Sequence, residues 1–440
     1  MSHKETLRIE KLVYGGYGLG RLSTGLVALV EGGLPNEVVE VEAVRVKRHM
    51  GFFRLVQVLE PSPQRSTPVC VHFSDCGGCH LQHMGYEDQL KAKKAMFFEV
   101  LTRQKGIERD VLSLVSDVLP APNPLGYRHL MRFHCATDGQ AFLGLARRAS
   151  NEIVPTSHCR IAHSTVLQTM MSLQRSSAWR SLAFILQEVS IGLSPAEGQV
   201  VVVFSVKKGL GFPLALFYEV VQHVESIKAC LVQEFGTKDL KTVWLKGDCD
   251  ILRRFPLADG SQTSPYLQAS PNVFVQNNWS VNLSIRDLIA RKIGEWNCRS
   301  ILDLHCGMGN FLLCGGSGLR HLGSDVACNA IADAQKNAVN LGIAAEFVCR
   351  TAKKQAEYLI KCRQRFDLVL LDPARGGCPE LPNLLQQLSS RLIYISCDPP
   401  ALARDLLELC KKGYKIKEIR LFDMFPQSYH LESMTTLEME

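Results

Sequence analysis

The sequence predicts an α/β protein in three parts: a small OB-like β-barrel, a strand-rich centre, and a C-terminal Rossmann-like domain built on a doubly wound parallel sheet. Three observations predict it. The first sixty residues alternate apolar and polar at period two between glycine turns. A proline-rich linker, PSPQRSTP, then leads into a cysteine-rich turn and a strand-rich stretch. From about residue 270, apolar strands alternate with helices, the pattern of a parallel sheet covered on both faces. The expected boundaries are 1–62, 63–268 and 269–440. A chain of 440 residues has room for three domains of ~150 residues each.

Composition narrows the class. Hydrophobic residues make up 46% and charged residues 21%, as in packed globular proteins. No run approaches the ~18 to 20 apolar residues of a membrane span, and MSHKETLRIEK has no apolar leader segment. A cytoplasmic protein without a membrane partner is expected. The net charge of +7 suits a polyanionic partner without identifying one. Sixteen cysteines in a chain with no export signal argue against a disulfide framework. Cys135, Cys230, Cys249, Cys298, Cys314, Cys328, Cys349, Cys362 and Cys410 read as small buried hydrophobes. Cys70, Cys76, Cys79, Cys159 and Cys397 stand apart by their surroundings.

In chain order, LRIEKLV, LVALVEG, VVEVEAVRVKR and FFRLVQVLEP read as barrel strands joined by turns such as GGYGLGR. Arg45, Lys47, Arg48 and Arg54 beside Phe52 and Phe53 suit phosphates and exposed bases, and suit a solvated strand face equally well. EDQLKAKKAMFFEVLTRQKG (87–106) reads as a helix that packs on the catalytic domain. LMRFHCAT, AFLGLAR, QVVVVFSV and KTVWLKG supply central strands, and Arg128 and Arg132 are candidate RNA contacts.

In the last domain, SILD ends at Asp303 and runs into HCGMGNF. Gly307 and Gly309 allow a tight turn and close approach of a ligand, and the third glycine of GxGxxG is missing. That favours an adenosyl ligand without phosphates over a dinucleotide. Asp325, 22 residues beyond Asp303, ends the next strand where a carboxylate can take ribose hydroxyls. LVLLDPARGG and RLIYISCDPP put Asp372 and Cys397 at two further strand tips on the same edge. DMFPQSYHLESM carries His430 and Glu432.

DLHCGMGNF, LDPARGG, ISCDPPALARDL, DMFPQSYHLESM and FVQNN resemble motifs of the RNA uracil-5 methyltransferases, and LRIEKLVYGGYGLGR resembles the TRAM RNA-binding domain. The resemblance implies S-adenosylmethionine as methyl donor, Cys397 as nucleophile and Glu432 as general base. It also implies cofactor contacts from Gln276, His305, Asn310, Asp325 and Asp372; the sequence leaves open whether Asp372 faces the uracil instead. The family usually has an aromatic residue at His305, Glu at Asp325 and Asn at Asp398. A uridine whose C6 is attacked must be unstacked, and Phe274 is the candidate to pack on it. Cys70, Cys76 and Cys79 form C-x5-C-G-G-C, with Cys159 as a remote fourth thiolate and Cys135 as its competitor. This spacing suits a [4Fe–4S] cluster better than zinc, as in the ribosomal branch of the family. The tRNA branch generally lacks the barrel and the cysteines, so a monomer acting on 23S rRNA is expected, with tRNA as the alternative. A radical methylthiotransferase fits less well because its cysteine spacing differs, and a silent RNA-binding protein leaves Cys397, Asp372 and Glu432 without a role.

Overall fold

The computed structural model describes residues 4–107, 109–137, 140–236, 243–246, 252–257 and 265–439. Five strands, β1 (Lys4–Val13), β2 (Tyr17–Arg21), β3 (Val27–Glu31), β4 (Val38–Val46) and β5 (Met50–Glu60), close into a barrel in the order β1-β2-β3-β5-β4. Their alternation buries Ile9, Ala28, Val30, Val39 and Val41 completely. Phe53 fills this core, whereas Phe52 meets Tyr17 edge-on and Arg45, Lys47 and Arg48 stay exposed. Strand parity therefore turns Phe53 inward, while Arg45, Lys47, Arg48 and Arg54 all face solvent. The linker is fixed rather than loose. Arg65 donates to the wholly buried Glu37 carboxylate and to the Gly32 carbonyl.

After the linker come α1 (Tyr86–Arg103) and β6 (Val115–Leu119). The central sheet uses β7 (Leu130–Ala136), β8 (Phe142–Ala146), β9 (Ile153–Pro155), β10 (Leu186–Ser194), β11 (Gln199–Val206), β12 (Ile227–Glu234) and β13 (Val243–Lys246), in the order β13-β12-β11-β10-β7-β8-β9. Helices α2 (Ser164–Gln174), α3 (Trp179–Ala183) and α4 (Leu214–Val221) cover it. A hairpin, β14 (Arg253–Pro256) and β15 (Tyr266–Ala269), leads to the last unit.

That unit comprises α5 (Trp279–Glu295), β16 (Ser300–Asp303), β17 (Arg320–Asp325), α6 (Cys328–Asn340), β18 (Ala345–Cys349), α7 (Ala352–Lys361), β19 (Leu368–Leu371), α8 (Pro382–Leu388), β20 (Arg391–Ser396), α9 (Pro399–Lys411), β21 (Tyr414–Phe422) and β22 (Glu432–Met439). The sheet runs β18-β17-β16-β19-β20-β22-β21-β6; β18 to β20 are parallel and β22 is antiparallel to both its neighbours. The edge strand β6 and helix α1 come from the stretch between 63 and 268. Phe97 and Leu101 of α1 enter the main core of this sheet, and Val115 and Val118 of β6 join them.

The cysteines divide differently from the expectation. Cys230 and Cys298 are buried, but Cys362 and Cys410 are exposed. Cys328 and Cys349 form a disulfide, Cα–Cα 5.2 Å, against the expectation of none. The β17–β18 register sets Cys349 opposite Asp325, three residues before Cys328, and that register is invisible in the spacing. Cys249 lies outside the described residues. Among the described residues, no helix is long and apolar enough to cross a membrane.

One polar clamp ties the chain's halves together. The Lys93 ammonium on α1 donates to the Asp423 carboxylate and, at 3.0 Å, to the Phe425 carbonyl, with both ionic side chains wholly buried. Gln89 exchanges hydrogen bonds with Gln427, whose carbonyl accepts the backbone N–H groups of His80 and Leu81 at 2.8 and 3.0 Å. Removing one partner of a buried pair leaves an uncompensated charge. Lys93→Met is expected to destabilise the protein by ~3–5 kcal/mol, read as a lowered urea midpoint. Lys93→Met with Asp423→Leu should recover most of it; a double variant as unstable as the single would remove the pair from this role.

Candidate active site

The parallel strands deliver their acidic and thiol residues to one edge. Asp303 ends β16, Asp325 ends β17, Asp372 follows β19 and Cys397 follows β20. Strand β22 runs the other way, so its first residue, Glu432, enters at that same edge. The register pairs Ser396 with Ser433, which puts Cys397 just beyond β20 beside Glu432 just before Ser433. On the far side of β20, Leu371 pairs with Tyr394, so Asp372 flanks the same opening. The two prolines after Asp398 start α9, and the Asp398 carboxylate caps it through the Ala401 N–H at 2.9 Å. Cys397 is thus held between a strand end and a capped helix.

Burial governs the electrostatics. It pushes the Glu432 carboxyl well above its usual range, and the Asp372 charge adds to the shift. Burial likewise raises Asp372 to about 7, while the Gln276 amide hydrogen bond at 3.4 Å opposes and Asp325 adds. The Cys397 thiol is pushed up to about 12 by burial first, then by Glu432 and Asp372, with Arg375 pulling it back. Asp303 is raised by burial as well. Burial thus favours the protonated forms of Glu432 and Asp372.

The glycine turn after β16 and the tip of β17 form the edge expected to face the adenosyl group. Gly307 and Gly309 have φ of +50° and +84°, and a Cβ at Gly309 would come within 2.8 Å of Leu313 Cδ1. Asp325 accepts from the N–H groups of Gly307 and Ala327, both at 2.9 Å, which aims a partly open carboxylate at the pocket. His305 is kept neutral by burial, its pKa near 4, and its Nδ1 has no hydrogen-bond partner. Gln276 lies against Asp372 at the same edge. Asn310 is used differently: its amide pairs both ways with Asn282 of α5, at 3.0 and 2.8 Å.

Cys70, Cys76, Cys79 and Cys159 line one cavity of about 840 Å³. Arg128, Arg132 and Phe274 share it, and Phe274 is 70% exposed. Cys135 does not line that cavity, although both it and Cys159 pack against the core of the central sheet. The Gly78 N–H points to Cys76 Sγ at 3.4 Å, and Arg148 donates to the Cys76 and Cys79 carbonyls. Among the described residues no three His, Cys, Asp or Glu side chains converge closely enough to hold a metal ion. Sequence reasoning passed over Asp303 as a site residue, and also Arg148, Tyr14 and Arg375. The apolar strand that ends in Asp303 was the one available signal for these.

Comparison with known proteins agrees with this geometry. The family model for tRNA (uracil-5-)-methyltransferases matches residues 257–440. An uncharacterized RNA methyltransferase of Thermotoga maritima is 32% identical, over 98% of either chain. A 23S rRNA (uracil(1939)-C(5))-methyltransferase of a Shewanella species is 30% identical, over 100% of this chain and 96% of that one. The crystal structure of Pyrococcus abyssi tRNA (uracil-54, C5)-methyltransferase with S-adenosyl-L-homocysteine shares the fold, with a TM-score of 0.74 at 24% identity over 98% of this chain and 99% of that one. By its full-length relatives, its matched catalytic segment and its strand-tip site, the chain belongs to the S-adenosylmethionine-dependent RNA uracil-5 methyltransferase family.

Proposed function

We propose that this enzyme methylates a uridine of 23S rRNA, with Cys397 as nucleophile and Glu432 as the base that ends the reaction. The observation that carries the mechanism is the β20–β22 register, which brings a thiol and a carboxyl to one opening. The ribosomal target is supported by the full-length likeness to the Shewanella 23S rRNA enzyme. The barrel does not by itself choose the RNA, because the Pyrococcus structure named for tRNA shares nearly the whole fold.

The chemistry follows from the ring. C5 of uracil is a poor nucleophile, so the Cys397 thiolate first forms a bond to C6. The C5=C6 electrons move into an enolate with carbanion character at C5. S-adenosylmethionine supplies the methyl group as a sulfonium, whose charge also favours ionised Cys397 and Glu432. After C5 has taken the methyl group, the Glu432 carboxylate removes the C5 proton. The electron pair restores C5=C6 and expels the thiolate. Gln276 and Asp372 would border the base or the methyl donor, and Asp325 would hold the ribose.

We further propose that Cys70, Cys76, Cys79 and Cys159 hold a [4Fe–4S] cluster. Four thiols line one cavity with an amide N–H aimed at Cys76 Sγ. A [4Fe–4S] cluster would take one thiolate on each of its four irons, so its ligands need not converge as closely as those of a single ion. With four protein ligands it would be structural, shaping the cavity wall.

Cys397→Ala is expected to abolish 5-methyluridine formation, and Glu432→Gln to accumulate a denaturant-resistant RNA adduct. Turnover in the first, or normal turnover in the second, excludes the assigned role. A thiol held near 12 ionises tenfold more per pH unit well below that value. Alkylation of Cys397 by iodoacetamide, followed by peptide mass spectrometry, should therefore still rise about tenfold between pH 9 and 10 in the free enzyme; a curve that flattens in that interval, as an ordinary thiol's does, would contradict the burial argument. Anaerobically purified protein should carry about four irons per chain, and stoichiometric zinc would refute the cluster. Mapping 5-methyluridine in ribosomal and transfer RNA, with and without the enzyme, decides the target.

A further inference from the structure

The barrel brings a side chain to the catalytic opening. Tyr14 lies in the β1–β2 turn and meets Tyr429 edge-on, with ring centroids 5.4 Å apart at 82°. Tyr429 in turn packs on His430 at 4.1 Å, two residues before Glu432. Gly16 permits this approach: its φ is +78°, and a Cβ there would lie 3.3 Å from the His80 Cβ and 3.4 Å from that of Tyr429. An aromatic wall thus runs from the barrel to the start of β22.

Arg375, in the loop after β19, closes the other side. It is exposed, and among the described residues its guanidinium has no ion-pair or hydrogen-bond partner; the Tyr14 hydroxyl has none either. Arg375 lies three residues beyond Asp372, in the loop that leaves β19 at the same strand-tip edge as Cys397, and its charge acts on Cys397, Tyr14, Tyr429 and His430. Arg375 is the exposed cation on the loop next to Asp372, and so the one placed to meet an anion arriving from solvent at this edge.

We propose that Tyr14 and Arg375 together grip a phosphodiester flanking the target uridine, so that the barrel helps to hold the extruded nucleotide over Cys397. The proposal rests on Cys397 being the nucleophile. A planar guanidinium and a phenol hydroxyl both donate to phosphate oxygens, and such contacts fix register without reading sequence. Burial, with Asp398 adding, pushes the Tyr14 phenol above its ordinary pKa, so it stays protonated and able to donate.

The test uses the full-length enzyme and an RNA hairpin carrying its mapped uridine. Tyr14→Phe keeps the ring and should raise KM for RNA about 3- to 10-fold with little change in kcat. Arg375→Gln should raise it roughly 10- to 100-fold. Methylphosphonate at a flanking linkage removes the phosphate charge. At one of the two linkages it should weaken the wild-type enzyme by the Arg375→Gln factor, and cost Arg375→Gln nothing further. Equal losses in both proteins at both linkages overturn the proposal, as does a Tyr14→Phe variant indistinguishable from wild type. RNA with 5-fluorouridine at the target has no removable C5 proton and should trap Cys397. A Cys397 adduct without the phosphate effect overturns the grip alone, whereas no adduct at Cys397 in the wild-type enzyme overturns the catalytic reading on which it rests.

Discussion

The active edge depends on a buried clamp on the segment that leads into β22. Residues 423 to 431 are irregular, yet they must deliver Glu432 into the sheet beside β20. Lys93 holds one end through Asp423 and the Phe425 carbonyl, and Gln89 and the cysteine loop hold Gln427, which adopts the left-handed φ of 70°. The cost of burying two charges is met by their pairing and by the added carbonyl contact. Because the cysteine loop grips the same residue, its conformation and that of β22 are mechanically linked.

The second constraint is the crowding of acids. Asp303, Asp325, Asp372 and Glu432 gather where five parallel strands and one antiparallel strand open. Buried carboxyls are costly when ionised, so burial favours protonated Glu432 and Asp372 and keeps Cys397 a thiol. A cationic methyl donor relieves that strain. Its binding and the activation of the nucleophile therefore draw on the same electrostatic imbalance. Neutral His305 at the adenosyl side fits this arrangement, since an imidazolium there would compete with the sulfonium.

Much of the fold was legible in the sequence because it rests on local periodicity. Alternation marked the barrel strands, and apolar runs ending in Asp303, Asp372 and Cys397 marked the parallel strands. Where long-range register decides, the spacing was silent. The β17–β18 pairing brings Cys328 to Cys349, strand parity sends Phe53 inward, and β6 crosses from the centre of the chain to the edge of the last sheet. Asn310 was a cofactor candidate by motif, but the facing helix α5 occupies its amide. The cavity separates Cys159 from Cys135, which spacing had left in competition.

By itself the sequence determined which residues are candidates for chemistry: a thiol and a carboxyl at motif ends, a glycine turn suited to an adenosyl group and a quartet of cysteines. Only the tertiary structure decided which of them meet. The antiparallel return of β22 sets Glu432 beside Cys397, and the seating of the barrel brings Tyr14 to the same opening. Identity is fixed residue by residue along the chain, whereas proximity depends on registers and contacts between segments hundreds of residues apart, which no local pattern encodes.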